Sequence, residues 1–132
     1  MKSEKFMVFK KFEEIIAWQK AQDLAVNIYA VFINNKDIAF KSQICRAAVS
    51  ISNNIAEGFD RSSNADFIRF LYISFSSCSE VRSMLHLAFR LKYITEIEQN
   101  DLQIKANEVS KIIWGLMKSL KTTNSKHLTT NQ

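Results

Sequence analysis

The chain has 132 residues, enough for one domain with a real core; 47% are apolar and ten phenylalanines are spread along it, which excludes a disordered chain. It has no proline and two glycines, Gly58 and Gly115, too little turn punctuation for a β-rich fold, so the predicted class is all-α. A net charge of +5 admits polyanionic partners, no apolar run reaches the roughly 18 residues of a membrane span, and the opening MKSEKFMVFKKF lacks the apolar stretch of a secretory signal, which predicts a cytoplasmic protein.

Periodicity divides the chain into four helical segments after an N-terminal extension, residues 1–11. The first is predicted over 12–33, where Trp18, Ala21, Ala25, Ile28 and Phe32 follow helical spacing and Leu24 and Tyr29 widen the stripe. The break is 34-NNKD-37, with Asp37 as N-cap of a second helix, 38–59, that stops near Gly58, a residue suited to a helix C-terminus. The third, 63–91, opens on Ser63 and Asp66 at capping-box spacing. Thr95 and Glu98 repeat that logic for the fourth, 96–121, whose stripe is Leu102, Val109, Ile113, Leu116 and Leu120. Residues 122–132 carry no apolar periodicity and are expected to be a flexible tail. Short connections favour antiparallel neighbours, hence an up-down-up-down four-helix bundle as a single domain over 12–121.

The second segment carries its polarity in a seam. Projected at about 100° per residue, Ser42, Gln43, Arg46, Ser50, Asn53, Asn54, Glu57, Asp60 and Arg61 fall in one arc of roughly 120°. Phe40, Ile44, Cys45, Ala47, Ala48, Val49, Ile51, Ile55, Ala56 and Phe59 fill the rest, with Ser52 as the polar intruder. An apolar arc of roughly 200° is about twice what one-sided packing needs, which predicts burial by a second subunit and so a homo-oligomer. The seam itself reads either as a water-facing stripe or as a hydrogen-bonding surface for a channel or partner, since arginine and amide groups suit phosphates and base edges.

The third segment sets Phe67, Phe70, Leu71, Ser74, Cys78, Val81, Leu85, Ala88 and Phe89 on its apolar face. Arg69, Arg82, His86 and Arg90 lie opposite, against Glu80. Tyr72 among them could stack on a base. Trp18 reads as packed, and Trp114 as an interface or half-exposed residue. Catalysis finds no foothold. His86 and His127 lack metal-ligand spacing, no glycine-rich phosphate loop occurs, and Cys45 and Cys78 read as buried reduced thiols. No metal, no cofactor and no enzymatic activity are expected.

The pieces 18-WQKA-21, 43-QICRAAVSISNNIAEG-58, Arg61, Phe70-Leu71, 79-SE-80 and 93-YI-94 resemble the four-helix-bundle proteins encoded within 23S ribosomal RNA intervening sequences, in order over about residues 9–120. The accessory variability protein of diversity-generating retroelements is a related branch, similar in fold. The resemblance implies an antiparallel bundle assembling into a barrel-like homopentamer with a basic surface. For the retroelement branch it implies binding to a reverse transcriptase and to nucleic acid; it carries over no catalytic residue. The positions matching the family block are Gln43, Arg46, Ser50, Asn54, Glu57, Gly58 and Arg61. This chain departs from the pattern in the loop INNKDIAF, in Cys45-Arg46 where paired arginines are usual, and at Arg82 where an acid is usual.

Two functional expectations follow. The first is a non-enzymatic basic oligomer that contacts nucleic acid, RNA before DNA, through Arg46, Arg61, Arg69, Arg82, His86 and Arg90, with the polar seam of Gln43, Ser50, Asn53, Asn54 and Glu57 beside them. The second is a protein-interaction adaptor, for example an accessory subunit to a reverse transcriptase.

Overall fold

The computed structural model describes residues 9–130, with side chains as far as Thr122. A short 3-10 turn, Phe12–Glu14, precedes four helices: α1 Ile16–Phe32, α2 Ile38–Phe59, α3 Asn64–Arg90 and α4 Glu96–Thr130. No strand occurs among the described residues.

Local chemistry places most of the boundaries. Asp37 caps α2 by accepting from the Phe40 amide at 3.1 Å. Thr95 and Glu98 close a full capping box on α4, the Glu98 amide donating to Thr95 Oγ1 at 3.1 Å and the Thr95 amide to Glu98 Oε1 at 2.9 Å. The box on α3 is only half made. Ser63 Oγ accepts from the Asp66 amide at 3.1 Å, but the Asp66 carboxylate sits 3.5 Å from Arg69 instead of reaching back.

Two predicted boundaries shift. Residues 12–14 are not part of α1, because Ile15 is extended (φ −80°, ψ 122°) and drives its side chain into the core. The last helix does not end at 121 but runs to Thr130. Apolar periodicity reports a buried face and is lost after Leu120, yet no proline or glycine stands between Lys121 and Thr130 to interrupt the backbone hydrogen bonds.

Each helix packs on the next in sequence, and α1 also packs on α4. Inter-helix partners climb on one helix as they fall on its neighbour: Gln43 with Glu80, Ser50 with Ser77, and Phe59 with Phe67 between α2 and α3; His86 with Gln99 and Cys78 with Ala106 between α3 and α4. The shared core contains Leu24, Ile28 and Phe32 of α1, Ile44, Ile51 and Ile55 of α2, Leu71 and Leu85 of α3, and Leu102 and Ile113 of α4. On α4, Met117 fills the core where Leu116 was expected, and Leu116 is only half-buried. Tyr29 and Phe89, both assigned to core stripes, are 47% and 40% exposed.

The broad apolar arc of α2 has an explanation within one chain. Ser52 Oγ accepts from Gln22 Nε2 of α1 at 3.1 Å, while the Ile51 carbonyl accepts from buried Ser74 Oγ of α3 at 2.8 Å. The helix is therefore flanked on both sides, and Ile44, Ala48, Ile51 and Ile55 are fully buried by its own bundle. The width of that arc does not itself require a second subunit.

Candidate nucleic-acid interface

The seam of α2 opens onto α3. Gln43 Nε2 donates to Glu80 Oε2 at 3.2 Å, Ser50 and Ser77 hydroxyls meet at 2.9 Å, and Asn54 Nδ2 donates to the Ser50 carbonyl and hydroxyl at 2.8 and 3.0 Å. Ser50 and Asn54 are half-buried, whereas Gln43, Arg46, Asn53 and Glu57 are exposed. The upper part of the seam lines an open groove of about 560 Å³ with Ser42, Gln43, Arg46, Ser50, Ser77 and Glu80 around it. Arg46 stands on the crest of α2, since it also lines the groove toward α1 with Tyr29, Ile33 and Ile38. Gln43 and Ser50 thus tie the seam to α3, each such hydrogen bond contributing about 0.5–1.5 kcal/mol, while Asn54 bonds back to its own helix.

The six basic candidates do not form one patch. Arg61 and Arg69 converge: their guanidinium carbons lie 4.7 and 4.9 Å from the centroid of the Phe70 ring. Glu57 sits 3.6 Å from Arg61 and Asp66 3.5 Å from Arg69, pairs that are exposed enough to be worth little. His86 instead turns toward α4, and the Arg82 backbone is tied to the same helix. The Arg82 carbonyl accepts from Gln103 Nε2 at 2.9 Å, and His86 Nδ1 lies 3.0 Å from Gln99 Nε2. Arg82 Nε is buried with no hydrogen-bond partner, so its guanidinium is partly withdrawn from the surface. Arg90 is twenty-one residues from Arg69, about 31 Å along the helix, in a shallow depression with Lys92, Tyr93 and Glu98.

A second cationic surface, which sequence reasoning did not assemble, lies where α4 crosses the first half of α3. Trp114 is 45% exposed and packs on Phe75 at 5.4 Å and Tyr72 at 6.4 Å between ring centroids. Lys121 Nζ donates to Tyr72 Oη at 3.0 Å and lies 5.2 Å from its ring centroid. The available signal was the helical spacing of Lys111, Trp114, Lys118 and Lys121; the contact with Tyr72, 49 residues away, has no local trace.

The cysteines are poor nucleophiles. Burial pushes the Cys45 thiol up and raises Cys78 to about 11, where its Sγ lies 3.2 Å from the Ala106 carbonyl. Among the described residues no group of three His, Cys, Asp or Glu side chains comes together as a metal-ligand set, and no helix is long and apolar enough to cross a membrane.

Residues 13–115 match the model of a family described as 23S rRNA-intervening sequence protein. The chain is also similar to a crystal structure of a protein with unknown function from the S23 ribosomal protein family of Bacteroides thetaiotaomicron. The two are 30% identical with a TM-score of 0.74, over 78% of this chain and 96% of that one. No curated protein matches the chain.

Proposed function

The chain belongs to the 23S rRNA-intervening sequence protein family, and from that premise we propose that it is a cytoplasmic, non-enzymatic, antiparallel up-down-up-down bundle that forms homo-oligomers and binds nucleic acid, RNA before DNA. The reversed order of partners between successive helices supports the topology. A pentamer is the count that the family resemblance implies. The observation that carries nucleic-acid binding is the convergence of Arg61 and Arg69 on Phe70, which holds both guanidinium groups against one ring, each paired only with an exposed carboxylate (Glu57, Asp66) that a phosphate would have to displace. The net charge of +5 adds a favourable field around that pair.

Binding isotherms against a structured RNA at several salt concentrations test this. Affinity is expected to fall steeply with salt, and Arg61→Gln with Arg69→Gln to flatten the log–log slope by about 1.5 to 2, one phosphate each. Absence of binding at low salt would reject the proposal.

A second reading, a protein-interaction adaptor such as an accessory subunit to a reverse transcriptase, is favoured by one feature. The groove between α1 and α2 exposes Tyr29, Ile33 and Ile38 beside Val49. Partner recovery that survives nuclease treatment would select it over nucleic-acid binding.

A further inference from the structure

Lys111, Trp114, Lys118 and Lys121 recur at 3-4-3 spacing and so share an arc of about 80° on α4. All four are exposed, while Ile113, Met117 and Leu120 of the same turns are buried. After Glu108 the remaining 24 residues contain four lysines and no aspartate or glutamate. This stretch is therefore cationic without the interleaved acids that usually mark a merely solvated helix face.

Two aromatic rings stand on the cationic face. Trp114 and Tyr72 meet at 85° between ring planes, forming a corner that offers the face of one ring and the edge of the other. Phe75 supports the indole from the core side, and Lys121 fixes the phenol through its hydroxyl. A Cβ added at Gly115 would meet no atom within 4 Å, so no other element crowds α4 at that turn. Arg69 lies three residues before Tyr72, one turn along α3, so the surface continues toward the Arg61–Arg69 pair.

We propose that the corner of Trp114 and Tyr72 is a stacking site for unpaired nucleotide bases, with Lys111, Lys118 and Lys121 holding the phosphates of the same strand. An aromatic ring with a lysine fringe suits a single strand, whose bases are free to stack, better than a duplex, whose bases already stack on one another. The proposal deepens the nucleic-acid reading above and rests on it. It assigns the recognised class as single-stranded segments, the loops or ends of an RNA.

Fluorescence titration tests it. In a Trp18→Phe background Trp114 is the sole tryptophan, and the probes are a single-stranded RNA dodecamer, its duplex and the DNA of the same sequence. Stacking predicts strong quenching by the single strand and little by the duplex, with RNA and DNA strands differing less than strand and duplex do. Trp114→Ala, measured by anisotropy of a labelled strand in the native background, is expected to weaken single-strand binding about tenfold or more, and Trp114→Phe to restore most of it. Lys118→Gln with Lys121→Gln, which touches no core position, is expected to reduce the salt slope by about 1.4. If strands bind with a steep salt dependence but neither quench Trp114 nor respond to Trp114→Ala, the stacking site is wrong and phosphate binding stands. If Trp114→Ala changes the oligomer mass and leaves strand affinity alone, the corner is a protein interface and the proposal is overturned. If no probe binds at low salt, the nucleic-acid reading and the stacking site fall together.

Discussion

Gly58 and Gly115, the chain's two glycines, stand in opposite situations. Gly58 reads in sequence as a helix stop, but neither glycine has a positive φ and α2 runs past it to Phe59. What Gly58 provides is close approach: a Cβ there would lie 2.6 Å from Phe70 Cβ and 3.1 Å from Phe67 Cδ1. Phe70 Cβ is tied to the α3 backbone and cannot rotate away, so α2 and α3 would have to separate. Gly58→Ala is therefore expected to destabilise by about 1–3 kcal/mol, despite alanine's better helix propensity. Gly115 is the reverse case, an exposed mid-helix glycine with open space at its Cβ, and Gly115→Ala is expected to stabilise by about 1 kcal/mol. Urea midpoints at constant m-value would read both; a Gly58→Ala protein as stable as the parent would refute the close-approach account. The same separation would disturb Phe70, and with it the platform on which Arg61 and Arg69 rest.

Among the elements, the connections at one end of the bundle are joined by a single hydrogen bond. Tyr93 Oη donates to Asp37 Oδ2 at 2.6 Å while the other carboxylate oxygen caps α2, so one aspartate serves both the α1–α2 and the α3–α4 turns. Tyr93 reaches that position because Lys92 takes φ 65° and the Tyr93 amide donates back to the Ala88 carbonyl at 2.8 Å, closing a Schellman turn without glycine. The Tyr93 hydrogen bond, and then the Phe40 amide, lower the pKa of Asp37, and Asp37 raises that of Tyr93. A depressed carboxyl contributes stability above its unfolded pKa, near 4, and loses it as pH falls through the lower folded value. A raised phenol contributes below its unfolded pKa, near 10, and loses it as pH rises through the higher folded one. The stability difference between the parent and Tyr93→Phe should therefore form a plateau across neutral pH and collapse at both ends. Melting curves from pH 2.5 to 11 would show it, and a difference unchanged between pH 7 and pH 2.5 would exclude the tie as its source. The caps at Asp37, Ser63 and Thr95 were legible in sequence because capping is decided within three residues. The Schellman turn at Lys92 was not, because its usual mark is a glycine, and neither was the end of α4, because periodicity records burial and not helicity. For the same reason the seam of α2 could be recognised as a sorted stripe but not assigned a direction. That it meets Ser77 and Glu80 depends on how α3 is rotated against it, and no local pattern encodes that rotation.

For the whole molecule, the site was less legible than the fold, since helical faces can be projected one at a time but a surface is shared between helices. The basic face projected for α3 divides in the bundle, with His86 leaning to α4, Arg82 Nε withdrawn from the surface, and Arg69 joining Arg61 from the far end of α2. Self-association likewise needs a different basis from the wide arc of α2, which its own neighbours cover. That basis is the outer edge of α1 and the start of α2, where Val26, Ile33 and Ile38 are 67%, 61% and 65% exposed. Val26, Tyr29 and Ile33 follow 3-4 spacing, an apolar stripe turned away from the core that a second copy of the chain would cover in the proposed homo-oligomer. Ile33→Glu with Ile38→Glu places charge on that edge without touching a buried residue. The double variant is expected to keep its helicity by circular dichroism and to fall to the 15.3 kDa of one chain in light scattering, against a multiple of that mass for the parent. A monomeric parent would reject the homo-oligomer. An oligomeric parent whose mass the double variant retains would move the interface to another face. Such an assembly would also bear on the proposed binding, because each copy would bring its own Arg61–Arg69 pair. A long RNA that engages several copies gains by effective concentration, so the monomeric variant should lose far more affinity for it than for a short strand that reaches one copy.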